Sequence, residues 1–148
     1  LPNGKYLFAA RSENRNEMAI HTCMSSDGGS TWGYLGRVND SSEHPPDLTM
    51  LGNGWILMTF GHRHEPFGVQ GVISKDNGKS WEEKRLLLDD TLPGGDTGYP
   101  STVRQDNGRL VTVYYTAGSW DKRWDTYNPL GAACKVICFH EQALIDKL

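Results

Sequence analysis

Three runs of apolar, β-branched and aromatic residues punctuate the chain at 5–11, 55–61 and 109–115, and each is entered through an Asn-Gly pair: Asn3-Gly4, Asn53-Gly54 and Asn107-Gly108. Asn-Gly suits a tight turn with positive φ, and the runs that follow suit strands, so each unit reads as a strand leaving a hairpin. The same reading carried along the chain predicts strands near 5–11, 17–24, 31–37, 46–51, 55–61, 68–74, 80–88, 99–104, 109–116 and 132–140. Proline and glycine gather in Glu43-His44-Pro45-Pro46 and in 92–100, which read as loops. Only the closing segment, 141–148, has a helical pattern, and it is too short to hold without packing.

A second repeated feature shares this spacing. Ser25-Ser26-Asp27-Gly28-Gly29-Ser30-Thr31-Trp32 and Ser74-Lys75-Asp76-Asn77-Gly78-Lys79-Ser80-Trp81 both read Ser-x-Asp-x-Gly-x-(Ser/Thr)-Trp. Asp27 and Asp76 lie 49 residues apart, and successive Asn-Gly pairs lie 50 and 54 residues apart. Two unrelated turn signals with one period make this a repeat protein, and a period near fifty is that of a propeller blade rather than a helical solenoid. In such a turn the carboxylates of Asp27 and Asp76 accept backbone N–H bonds while Trp32 and Trp81 plug a core, which makes the motif structural.

The fold class that follows is all-β, a partial propeller. Ten strands at four per blade give about three blades, whereas closed rings need at least four. Residues 1–148 are therefore expected to be a piece of a longer propeller, or to pair with a second copy. Two open blade faces would forfeit on the order of 10 kcal/mol, at about 25 cal/mol per Å² of apolar surface.

Composition narrows the partners. Fifteen basic and eighteen acidic residues give a net charge of −3 with no basic block, which argues against nucleic acid. No apolar stretch reaches the roughly 18 residues needed to span a bilayer. Cys23, Cys134 and Cys138 offer no paired zinc spacing and read as buried small apolar side chains. Asn39-Asp40-Ser41 fits a glycosylation sequon.

The Ser-x-Asp-x-Gly-x-(Ser/Thr)-Trp boxes, the blade period and the segment from Gly98-Tyr99-Pro100 to Val113-Tyr114-Tyr115 together resemble the sialidase (neuraminidase) superfamily, whose repeats are called Asp boxes or BNR repeats. Phe67-Gly68-Val69-Gln70 and Asp96-Thr97-Gly98-Tyr99-Pro100 narrow the likeness to bacterial sialidase-like proteins. The resemblance implies a six-bladed propeller of four-stranded antiparallel sheets and an exo-α-sialidase type of glycoside hydrolase. It also implies an acidic glycan as partner, no cofactor, and a secreted or periplasmic parent protein.

The resemblance gives Tyr99 the role of nucleophile, since a neutral phenol is not repelled by the carboxylate of sialic acid. A phenol has a pKa of about 10 and needs a base, for which Glu65 and Glu13 are the nearest candidates. Arg11 ends the first Asn-Gly strand and Arg63 lies just past the end of the second, where their planar forks could clamp a substrate carboxylate as the three arginines of sialidases do. His62 and Tyr115 join them as substrate-binding candidates, although Tyr114-Tyr115 stands where related strands end in Tyr-Glu. Packing at a strand start for Tyr99, and solvated strand ends for the arginines, are the structural alternatives. Arg104 precedes a turn and is expected to be exposed.

His62-Arg63-His64-Glu65 also fits uronate elimination, in which His or Tyr acts as base and Arg neutralises a carboxylate. His62 and His64 share a strand face, but the sequence shows no third ligand, so no metal is assigned. Trp120, Trp124 and Tyr127 could stack on sugars or pack under their loop. Besides the sialidase reading there stand a non-catalytic glycan-binding propeller, a uronate-directed propeller lyase or glycosidase, and an inactive truncated fragment.

Overall fold

The structure is a computed structural model that describes residues 1–12, 14, 17–117 and 132–148 in full, and the backbone alone at 120–121 and 126–127. Among the described residues the strands are β1 (Tyr6–Arg11), β2 (Ile20–Ser25), β3 (Gly33–Arg37), β4 (Glu43–Met50), β5 (Ile56–His62), β6 (Gly68–Ser74), β7 (Leu86–Asp89), β8 (Thr97–Arg104), β9 (Arg109–Thr116), β10 (Trp120–Asp121), β11 (Thr126–Tyr127) and β12 (Ala133–His140), followed by α1 (Glu141–Ile145).

They form three antiparallel sheets, β1-β2-β3, β4-β5-β6-β7 and β8-β9-β12, plus the short β10-β11 hairpin. The chain is an all-β partial propeller. The Asn-Gly turns behave as their chemistry requires, with φ of +76° at Gly4, +84° at Gly54 and +80° at Gly108. By position after these turns, β1, β5 and β9 are equivalent strands of successive repeats.

Strand β5 is buried along its whole length because it is sandwiched between neighbouring sheets. Met58 and Phe60 pack with Ile20 and Val72 toward the first sheet, while Leu57 packs with Leu51, Ile73, Leu86, Leu110 and Leu144 toward the third. Period-two alternation thus feeds two cores from one strand. The helix lies against the second of these cores through Leu144.

Several expectations are corrected. Strand β4 begins at Glu43 rather than Pro46, running through the His44-Pro45-Pro46 segment read as a loop. It tolerates both prolines because it is an edge strand, paired only with β5, and its register shifts between Glu43 and Pro46. The strand expected at 80–88 is confined to Leu86–Asp89. Cys134 and Cys138 are exposed, not buried, because β12 is an edge strand and its alternate side chains face outward. Arg104 is bound bidentately by Glu141, at 2.8 Å for both Nε and Nη2. Asn39 of the sequon is buried, with its amide donating to the Glu43 carbonyl at 2.6 Å and accepting from Ile20 N–H at 2.8 Å.

Both Asp boxes close as hydrogen-bonded turns. The Asp27 carboxylate accepts from Thr31 N–H at 2.9 Å, Thr31 Oγ1 at 2.6 Å and Ser25 Oγ at 2.7 Å, which hold its pKa at about 2. Asp76 accepts from Lys79 and Ser80 N–H and from the Ser74 and Ser80 hydroxyls. The two indoles part company. Trp81 packs against the Phe60 core, whereas Trp32 is 45% exposed beside Phe8, because among the described residues no sheet covers its side of β1-β2-β3.

Candidate functional site

The strand ends of different repeats meet at Tyr99. Gly98 (φ +114°) and Tyr99 (φ +48°) sit in a register shift between Gly98 and Ser101, where β8 bulges away from β9. A left-handed backbone is unfavourable for a bulky side chain, so the surrounding structure must impose it, and it turns a half-exposed phenol outward at the strand end. Close packing supplies the constraint. Gly61 at the end of β5 lies against Gly98, and a side-chain carbon on Gly61 would come within 2.9 Å of Gly98 Cα.

Around this phenol stand residues distant in sequence. Arg11, the last residue of β1, donates from Nη1 to the Tyr99 hydroxyl at 3.2 Å. The Arg63 guanidinium lies 5.4 Å from the Tyr99 ring centre. The Tyr115 ring, near the end of β9, lies 5.6 Å from that of Tyr99. Tyr115 donates its hydroxyl to Asp96. Burial first, and then this bond, push the phenol up to about 12, while Arg63 works in the opposite sense.

Arg63 is the least compensated charge here. Its Nε and Nη2 atoms are shielded from solvent and have no hydrogen-bond partner among the described residues. What faces the guanidinium is the aromatic surface of Tyr99. A shielded cation of this kind makes the mouth attractive to an anion.

The fold thus brings together Tyr99, Arg11, Arg63 and Tyr115, and adds Asp96, whose participation follows from a tertiary contact. It does not bring Glu65 to Tyr99. Glu65 is exposed and lines a separate open recess with Pro66, Phe67, Asp90, Leu92 and Pro93. Among the described residues no carboxylate is hydrogen-bonded to the Tyr99 hydroxyl. Glu13, Trp124 and the side chains of Trp120 and Tyr127 lie outside the described residues.

His62 turns to a different group. It is buried, its Nδ1 donates to the Pro66 carbonyl at 2.8 Å, and its Nε2 lies 3.7 Å from Glu43 Oε1. His64 Nε2 approaches the same oxygen at 3.7 Å. Strand pairing therefore provides the carboxylate partner that the His62/His64 pair lacks in the linear sequence.

The family profile described as BNR repeat-like domain matches residues 1–113. No curated protein matches the chain. Among solved structures, an α-L-arabinanase of Penicillium chrysogenum complexed with arabinobiose superposes with a TM-score of 0.65 at 20% identity, covering 95% of this chain and 44% of its own. A polysaccharide lyase of family PL25, an ulvan lyase bound to a GlcA-Rha3S unit, gives 0.68 at 12% identity, covering 95% and 37%. A protein of unknown function from Dyadobacter fermentans gives 0.65 at 22% identity, covering 93% and 34%. The chain thus spans between a third and a half of the structures it resembles, and the likeness establishes the propeller fold.

Proposed function

The chain belongs to the BNR repeat-like domain family, and on that premise we propose that it forms part of the substrate mouth of a carbohydrate-active propeller directed at an acidic sugar. The observation that carries this is one phenol held between two guanidiniums, Arg11 on the Tyr99 hydroxyl and Arg63 on its ring. Arg11 and Arg63 engage the sugar carboxylate, and Tyr99 performs the chemistry.

In an exo-α-sialidase type of hydrolysis the Tyr99 oxygen attacks the anomeric carbon and the leaving alcohol takes a proton from an acid elsewhere in the ring. The phenolic proton passes to a base, and water later releases the sugar. Arg11 stabilises charge on the phenolic oxygen as its proton departs. A uronate-directed elimination is the second reading. It is favoured by the placement of Arg11 on the Tyr99 hydroxyl and Arg63 on its ring, because two cations there stabilise Tyr99 as a phenolate, and the phenolate takes the proton α to a carboxylate that the arginines neutralise while the glycosidic oxygen leaves from the β carbon. The solved lyase bound to a glucuronate-containing unit lends support.

The outward apolar side chains of the first sheet (Tyr6, Phe8, Tyr34) and of the third (Val103, Val113, Val136) fit seats for further blades of the same ring. The test uses the full protein that carries this sequence. A fluorogenic sialoside and a uronate oligosaccharide are offered to it and to Tyr99→Phe. Release of sialic acid that Tyr99→Phe abolishes supports hydrolysis, and an unsaturated product that Tyr99→Phe abolishes supports elimination. Glycan binding without turnover leaves a lectin-like role, and turnover unaffected by Tyr99→Phe overturns the assignment of Tyr99.

A further inference from the structure

We propose that Glu43, His62 and His64 bind a divalent transition-metal ion of the zinc class, at a site separate from the Tyr99 mouth. Glu43 opens β4 and His62 closes β5, and the two are direct register partners across the strand pair. His64, two residues further on, returns to the same side. Glu43 Oε1 and one nitrogen of each ring lie within 4.8 Å of one another, with both imidazole Nε2 atoms 3.7 Å from the carboxylate oxygen. That distance is too long for a hydrogen bond. It is a few tenths of an ångström wider than the roughly 3.3 Å ligand-to-ligand edge of a tetrahedron built on bonds of about 2.0–2.1 Å.

The surroundings prepare each donor. The Pro66 carbonyl can only accept, so the 2.8 Å contact puts a proton on His62 Nδ1 and, in the neutral ring, leaves the Nε2 lone pair aimed at the centre. Support of the remote nitrogen by a backbone carbonyl is how metal-binding histidines are usually oriented. Glu43 is buried, and its other oxygen is already occupied, accepting from Asp40 N–H at 2.9 Å and facing Arg85 Nη2 at 3.7 Å. The Glu43 backbone is fixed in turn by the Asn39 amide. His64 is 49% exposed at its side chain, which gives the ion an entrance and leaves a coordination position for water.

Two imidazoles and one carboxylate suit zinc and its first-row neighbours, whereas calcium and magnesium prefer all-oxygen sets. The ion would tie the start of β4 to the turn after β5. That turn carries Arg63 between two of the ligands.

Calorimetric titration of the metal-stripped chain with Zn²⁺ should give one saturable site. Affinity should fall in acid, because protons compete with the ion for its nitrogen and oxygen donors. Co²⁺ should show d–d absorption without thiolate charge transfer, which separates this site from the three cysteines. His64→Ala should weaken binding by at least about tenfold, as should Glu43→Gln, while His140→Ala should leave it unchanged. Because Glu43 is buried, protection of His64 from diethyl pyrocarbonate by Zn²⁺ in the unmodified chain provides a reading that needs no variant. Absence of saturable binding, or binding and protection indifferent to His64→Ala, overturns the proposal. None of these measurements involves a sugar, so failure here leaves the Tyr99 reading standing.

Discussion

A methyl group on Gly61 would meet Gly98 Cα at 2.9 Å and the carbonyl oxygens of His44 and Thr97 at 3.0 Å each, so Gly61→Ala must separate β5 from the bulge that carries Tyr99. All three contacts are backbone, and none can be relieved by a rotamer change. Overpacking costs about 1–3 kcal/mol, and rigid contacts on three sides place this substitution near the top of that range. A stiffer unfolded chain returns about 0.5–1 kcal/mol. The net loss is about 2 kcal/mol, roughly thirtyfold in the folding equilibrium. Urea unfolding followed by tryptophan fluorescence reads it, with Gly33→Ala as control, since the nearest atom there is Met24 O at 3.8 Å. Gly61→Ala unfolding within about 0.5 kcal/mol of the control would refute the view that close backbone packing imposes the Tyr99 conformation.

Tyr114 is buried and donates to Asp89 Oδ2 at 2.5 Å, an oxygen that also receives Lys135 Nζ at 2.8 Å. Tyr114→Phe should therefore cost about 1.5 kcal/mol and not the larger penalty of an orphaned charge, because Lys135 still pairs Asp89; the same urea assay checks it. The Asp27 carboxylate is depressed from 3.8 to about 2 by bonds from Thr31 and Ser25. Its contribution to stability is thus full above its unfolded value and disappears as pH falls from about 4 through 2. The unfolding midpoint measured over that window should decline less steeply in Asp27→Asn than in the native chain, with the residual slope including the similarly depressed Asp76. Equal slopes would contradict this account of the box.

What could be read from the sequence was what local chemistry decides. Asn-Gly turns and Asp boxes are closed by atoms within a few residues of one another, so their motifs state the geometry. Arg11 and Arg63 could be placed at equivalent strand ends of successive repeats for the same reason, and Tyr99 at a strand start, and the fold brings both guanidiniums to the Tyr99 side chain. Non-local facts stayed hidden. Trp32 and Trp81 occupy identical motif positions, but among the described residues only Trp81 has a sheet packed over it. Glu43 falls in a proline-rich stretch that reads as a loop, and only pairing with β5 sets it opposite His62. Asp96 and Glu141 acquire partners, Tyr115 and Arg104, through tertiary contacts that no spacing announces.

Alternation at the end of β5 explains how one short segment serves two centres. Phe60 faces the first core, His62 and His64 face Glu43, and Arg63 between them faces Tyr99. Successive side chains of an extended chain point to opposite sides, so the order His-Arg-His sorts donors from cation without any additional element. On the metal proposal, the same alternation would couple the two centres mechanically. An ion drawing His62 and His64 toward Glu43 would fix the backbone from which Arg63 projects. Arg11 differs in this respect, since its strand is the edge of the first sheet and its guanidinium reaches the phenol oxygen directly. With the proposed ion bound, the mouth would combine an arginine in contact with the Tyr99 hydroxyl and another held by the residues on either side of it.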